Sequence, residues 1–119
     1  MNPENLRVQM RKGALELCVL RILNHREAYA SEILATLRTA ELLVVEGTLY
    51  PLLTRMRTAG WLDYRWVEST EGPPRKYYRL TGGGRGLLQD LSGEWLRFVQ
   101  AVEALNPDLS TQVPKPTIP

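Results

Sequence analysis

Cysteine, histidine and phenylalanine each occur once in these 119 residues, and lysine only three times. A single cysteine, Cys18, excludes an intramolecular disulfide and fits a reducing, cytoplasmic setting. Its place among apolar helical positions reads as a small buried hydrophobe. With one histidine, His25, and no cluster of ligand-type side chains at metal spacing, there is nothing from which to assemble a metal centre or an acid–base pair. No cofactor is expected, and no enzyme. No apolar run approaches the roughly 20 residues that span a bilayer, and Met1–Lys12 is too polar to be a secretory signal. A membrane partner is therefore not expected.

Hydrophobic residues make up 44% of the chain and charged residues 24%, ordinary values for a globular domain with a core of its own. The formal net charge is only +2, but it is unevenly spread. Residues 1–46 balance six basic side chains against six acidic ones, and residues 86–119 carry two against four. Between them, residues 47–85 hold seven (Arg55, Arg57, Arg65, Arg75, Lys76, Arg79, Arg85) against three (Asp63, Glu68, Glu71). Twelve of the fifteen cations are arginine, whose planar fork suits phosphate and guanine edges.

Apolar periodicity divides the chain into elements. A first helix is expected from about Glu4 to Asn24, apolar on nearly every side and ending at His25. A second spans about Ala30 to Thr39, with Ile33, Leu34 and Leu37 inward. Leu42–Val45 reads as a short strand. A third helix runs from near Glu46 to a glycine stop at Ala59-Gly60, with Leu49, Leu52, Leu53 and Met56 buried. Pro51 is expected near its first turn, where proline is tolerated. Next the period falls to two: Leu62, Tyr64 and Trp66 alternate with Asp63, Arg65 and Val67. Ser69–Pro74 reads as a loop, and Lys76–Leu80 returns as a second strand with Tyr78 and Leu80 inward.

Thr81 is a candidate N-cap for a last helix ending near Leu105. Along it Leu88, Leu91, Trp95, Phe98, Val102 and Leu105 are spaced as a heptad seam, suited to pairing with a second copy. The alternative, packing on the chain's own first helix, stays open. Residues 107–119, with four prolines, are expected to be a disordered tail.

Helix, helix, short strand, helix, hairpin is the order of a winged helix-turn-helix. The expected fold is therefore mainly α with a small β-hairpin (α+β). Residues 1–81 are the expected DNA-binding domain and 82–106 a C-terminal dimerisation helix. In such a domain the third helix enters the major groove and the wing lies beside it. Its outward face carries Gly47, Thr48, Tyr50, Pro51, Thr54 and Arg55. The hydroxyls can donate to phosphates, and Arg55 is the candidate for base edges. Arg57 lies on the flank, and Arg75 and Lys76 belong to the wing. The other class of function weighed is a protein-interaction module on the same fold.

Three segments resemble the hallmarks of PadR-type regulators and stand in the same order: Arg11-Lys12-Gly13-Ala14-Leu15-Glu16, Glu46-Gly47-Thr48-Leu49-Tyr50-Pro51-Leu52-Leu53, and Gly72-Pro73-Pro74-Arg75-Lys76-Tyr77-Tyr78-Arg79-Leu80-Thr81. The resemblance runs from about Arg11 into the last helix. It implies a bacterial, homodimeric winged-helix repressor of a palindromic operator, paired through its C-terminal helix. Release by a small-molecule or stress signal is implied for many members.

Two departures bear on the site. Ala30-Ser31-Glu32-Ile33 stands where members often carry Gly-Tyr before Glu-Ile, so a tyrosine–phosphate contact is lost or taken over by Ser31. Gly82-Gly83-Gly84 follows the Leu-Thr, and glycine costs roughly 1 kcal/mol per helical position, so a frayed or hinged first turn is expected. The short last helix resembles compact members, in some of which a tryptophan stacks on planar aromatic compounds. Trp95, with Phe98, matches that residue in position. Filling the dimer core is the other role open to the pair.

Overall fold

Leucine and isoleucine recur at three- and four-residue steps, and these steps decide which helix faces turn inward. The computed structural model describes residues 3, 11, 13–42 and 45–106. In order they form α1 (Leu15–His25), α2 (Ala30–Thr39), α3 (Glu46–Thr58), β1 (Leu62–Ser69), β2 (Gly72–Leu80) and α4 (Gly82–Ala104). The architecture is mainly helical with one antiparallel hairpin.

The core is apolar. Leu15, Leu17, Val19, Leu20 and Leu23 of α1 meet Ile33, Leu34 and Leu37 of α2, Leu49, Leu52, Leu53 and Met56 of α3, and Leu62, Tyr78 and Leu80 of the hairpin. The expected inner stripes of α2 and α3 are thus the buried ones. Two expectations for the first helix change. The described helix begins at Leu15, after a turn at Gly13 and Ala14, and it is not buried all round, because Arg21 and Asn24 are exposed. Residues 4–10 and 12 of the expected helix lie outside the described residues, as do Leu43 and Val44 of the expected short strand and the expected tail at 107–119.

The helices α2 and α3 stop in the same way. After α2 the Leu42 amide donates to the Leu37 carbonyl and the Glu41 amide to Arg38. After α3 Trp61 donates to Met56 and Gly60 to Arg57. This six-to-one and five-to-two pairing needs a left-handed residue between. Gly60 supplies it at φ 87° as the glycine stop predicts, and Glu41 supplies it at φ 61°. Pro51 is the sixth residue of α3 and so lies in the helix interior rather than its first turn. Its missing N–H leaves the Gly47 carbonyl without the usual amide.

The hairpin turn is tighter than expected. Thr70 and Glu71 alone make it, the Glu71 amide donating to the Ser69 hydroxyl at 3.3 Å. Pro73 and Pro74 belong to β2, not to a loop. The register slips by one residue between Val67/Arg75 and Ser69/Gly72. At such a bulge two prolines are tolerated, since the ladder asks them for no amide.

The glycine run is not a loose hinge either. Thr81 Oγ1 accepts from the Gly84 amide at 3.0 Å, the N-cap its sequence position predicts. The same hydroxyl donates to the Gly60 carbonyl at 2.6 Å. Gly84 is buried, and a Cβ there would run into the carbonyl oxygen of Trp61. Close packing of the start of α4 on the α3–β1 turn is what requires glycine. The chain divides into two compact units, residues 1–88 and 89–119. The first holds the helices and hairpin just described, and the second holds the remainder of α4.

Candidate nucleic-acid interface

With its leucines turned inward, α3 presents Gly47, Thr48, Tyr50, Pro51, Thr54, Arg55 and Arg57 to solvent, all exposed. Tyr50 keeps 49% of its surface open. Thr54 Oγ1 donates back to the Tyr50 carbonyl at 3.1 Å, a common resting arrangement for a helical threonine. Arg55 has no carboxylate partner among the described residues, so its five donors are uncommitted.

Beside α3 the N-terminus of α2 and the strand β2 converge on a cleft lined by Tyr29, Ala30, Ser31, Tyr50, Thr54, Arg75, Lys76 and Tyr78. Five of the residues singled out from sequence, Ser31, Tyr50, Thr54, Arg75 and Lys76, meet here from three separate elements. No carboxylate is among the lining residues. At the start of α2 the amides of Glu32 and Ile33 both find the Tyr29 carbonyl. The amides of Ala30 and Ser31, both on the cleft, are left without an intrahelical acceptor. The Glu32 carboxylate caps the helix, accepting from the Tyr29 amide at 3.2 Å. Free amides, a helix dipole, hydroxyls and two cations make a cleft suited to a phosphate.

Strand alternation sorts the wing's side chains onto two faces. One carries Asp63, Arg65 and Val67 opposite Arg79, Tyr77 and Arg75. Here Arg65 grips Glu27 with bonds of 3.0 and 2.7 Å, and Arg79 donates to Asp63 at 2.6 Å while lying 3.6 Å from Glu27. The Arg65 hydrogen bond, aided by the charges of Arg65 and Arg79, holds the Glu27 carboxyl below its ordinary value. Next to Glu27, Ala28 exchanges both backbone bonds with Tyr78, at 3.2 and 2.8 Å. The α1–α2 loop thereby acts as a one-residue third strand that anchors the wing. Two of the seven cations that made residues 47–85 basic are thus spent on structure.

The other face carries Leu62, Tyr64 and Trp66 opposite Leu80, Tyr78 and Lys76. Lys76 Nζ stands 4.6 Å from the centroid of Tyr64 and 5.4 Å from that of Trp66. The Arg57 guanidinium lies 4.8 Å from the same Tyr64 ring, and that of Arg75 lies 4.4 Å from Tyr29. Trp66 is 60% exposed, because the strand outruns the core beneath it. Tyr29 went unnoticed in the sequence, and Tyr64 and Trp66 were read there only as strand positions. The Tyr64–Trp66 alternation was visible there, but the register that sets Lys76 against Trp66 was not.

The heptad positions of α4 follow a different pattern. Leu88 and Leu91 are half-buried, while Trp95, Phe98, Val102 and Leu105 are exposed, Phe98 and Leu105 to 62% and 84%. Trp95 and Phe98 stand 6.4 Å apart, ring to ring. Burial holds the Cys18 thiol above its ordinary value, against the pull of Arg21, so it is a poor nucleophile. Among the described residues no group of His, Cys, Asp or Glu is placed to hold a metal ion, and no helix is long and apolar enough to cross a membrane.

Residues 19–90 match the family model of the transcriptional regulator PadR-like family. A PadR-like transcription factor from Bacteroides fragilis is 51% identical, covering 85% of this chain and 98% of its own, with a TM-score of 0.71. A PadR-like transcriptional regulator from Bacillus cereus is 35% identical over 82% of this chain and 95% of its own, with a TM-score of 0.73. A PadR family regulator from Eggerthella lenta, 30% identical over 85% of this chain and 88% of its own, has a TM-score of 0.78.

Proposed function

Because this chain belongs to the PadR-like family of transcriptional regulators, we propose that it works as a homodimeric repressor of a palindromic operator. It is a DNA-binding regulator and not an enzyme. In the proposed complex α3 lies in the major groove with Arg55 toward base edges. Gly47 and Pro51 keep the helix surface slim, Thr48 donates to phosphate, and Arg57 reaches the flanking backbone. Ser31, Tyr50, Thr54, Arg75 and Lys76 hold phosphate. The observation that carries this reading is the cleft itself, where those last five side chains converge without a carboxylate among them.

A second copy is the proposed partner of the exposed stripe of α4, from Leu88 and Leu91 through Trp95, Phe98, Val102 and Leu105. Two-fold pairing of chains would present two recognition helices to the two half-sites of a palindrome. The Trp95–Phe98 pair fills the middle of that seam. The same two rings support a second role, as a platform for a planar aromatic effector whose binding releases DNA. A cytoplasmic location follows from operator binding.

The test is a fluorescence-anisotropy titration against duplex DNA from upstream of the protein's own gene, at 50 and 200 mM salt. Binding two chains per site, with affinity falling steeply as salt rises, supports the reading. Equal affinity for that DNA and for random duplex would defeat the operator assignment, and no binding to either would leave the protein-interaction reading in its place.

A further inference from the structure

The cations around the interface divide by what they touch. Arg65 and Arg79 are ion-paired with Glu27 and Asp63, and their charge is neutralised where it stands. Arg57, Lys76 and Arg75 have no carboxylate partner among the described residues, and each stands over an aromatic ring instead. Tyr64 receives two of them, Arg57 from α3 and Lys76 from the wing, at 4.8 and 4.6 Å. Tyr29 receives Arg75 at 4.4 Å. The two chemistries also differ in consequence. A carboxylate orders a cation by cancelling it, whereas a ring's quadrupole orders it and leaves the full charge to act on something else.

We propose that Tyr64 and Tyr29 are positioning residues that hold Arg57, Lys76 and Arg75 extended and uncompensated for the phosphates of bound DNA. The inference rests on the DNA-binding reading above and adds two aromatic side chains to the residues named there. Tyr64 is built to stay still. Its ring is half-buried and meets Trp66 edge-on at 6.1 Å and the buried Tyr78 at 5.9 Å. Tyr29 is steadied likewise by Tyr77, edge-on at 5.3 Å. Long basic side chains lose rotamer freedom when they bind, and fixing them beforehand lowers that cost. Because the Tyr64 ring on β1 takes one cation from α3 and one from β2, it also sets their spacing, so that the helix and the wing meet the backbone in register.

The test is a mutant cycle read by anisotropy on operator duplex. Tyr64→Phe keeps the ring and is expected to bind as the parent does. Tyr64→Leu removes it and is expected to weaken binding roughly 5- to 20-fold, the loss of two exposed cation–ring contacts. In an Arg57→Gln, Lys76→Gln background, Tyr64→Leu is expected to add nothing. Parental affinity in Tyr64→Leu would overturn the proposal, as would a penalty that persists undiminished in the glutamine background, the mark of a merely structural ring. If Tyr64→Leu fails to fold by circular dichroism, the cycle of Tyr29→Leu with Arg75→Gln decides on the same criteria. If the parent itself shows no salt-sensitive binding to duplex, the DNA-binding reading fails and takes this one with it.

Discussion

Arg55 and Arg57 sit two residues apart on one helix, yet their surroundings assign them different work. Arg57 is drawn onto the Tyr64 ring, at the flank of the proposed interface. Arg55 is exposed and has no carboxylate partner among the described residues, which suits the base-edge contact proposed for it. Arg55→Ala is expected to cost about 1–3 kcal/mol against operator and to relax sequence preference. Titrating it against operator and random duplex checks this, and an equal loss on both would reassign Arg55 to a phosphate. At this scale residue types were readable and partners were not. Nothing in the order of the letters separates Arg65 and Arg79, locked to Glu27 and Asp63, from Arg75 and Lys76, which line the cleft.

Among the elements, the helices were the legible part. The inner faces of α2 and α3 follow from spacing alone, and the glycine stop at Gly60 and the Thr81 cap act locally. The hairpin was less legible, because Pro73-Pro74 carries the signature of a loop and only the bulged register lets it stand in a strand. The wing is held at its base by Glu27, whose carboxyl is kept below its ordinary value by Arg65 and then Arg79. A carboxylate with a depressed folded-state value stabilises above the unfolded value, and that contribution disappears as pH falls through the folded one. Stability should therefore decline below about pH 4.5, the usual glutamate value, and Glu27→Gln should flatten this part of the profile. Thermal melts of both proteins between pH 7 and 3 measure it. Parallel profiles would show that Glu27 does not anchor the wing.

For the whole molecule, the stripe of α4 that stands exposed among the described residues is the proposed seat of a second chain. Large aromatics at the centre of an interface are commonly worth 2 kcal/mol or more each, about thirtyfold in a dissociation constant. Trp95→Ala is thus expected to shift the protein from dimer to monomer at low micromolar concentration, as read by sedimentation equilibrium. The monomer should bind operator more weakly, since each half-site would be held alone. A mass unchanged by the substitution would take Trp95 out of the interface.

The sequence by itself determined α2, α3 and α4, the position of the hairpin, the family, and the face of α3 that turns outward. All of these follow from short-range periodicity and from motifs that are contiguous in the chain. Only the tertiary structure decided which of the described cations around the interface are neutralised and which meet rings instead, that Gly84 serves close packing rather than a hinge, and that Ser31, Tyr50, Thr54, Arg75 and Lys76 share one cleft. Those outcomes depend on contacts between segments distant along the chain, such as Arg65 with Glu27 and Thr81 with Gly60. Such contacts are set by strand register and helix packing, which no local pattern records.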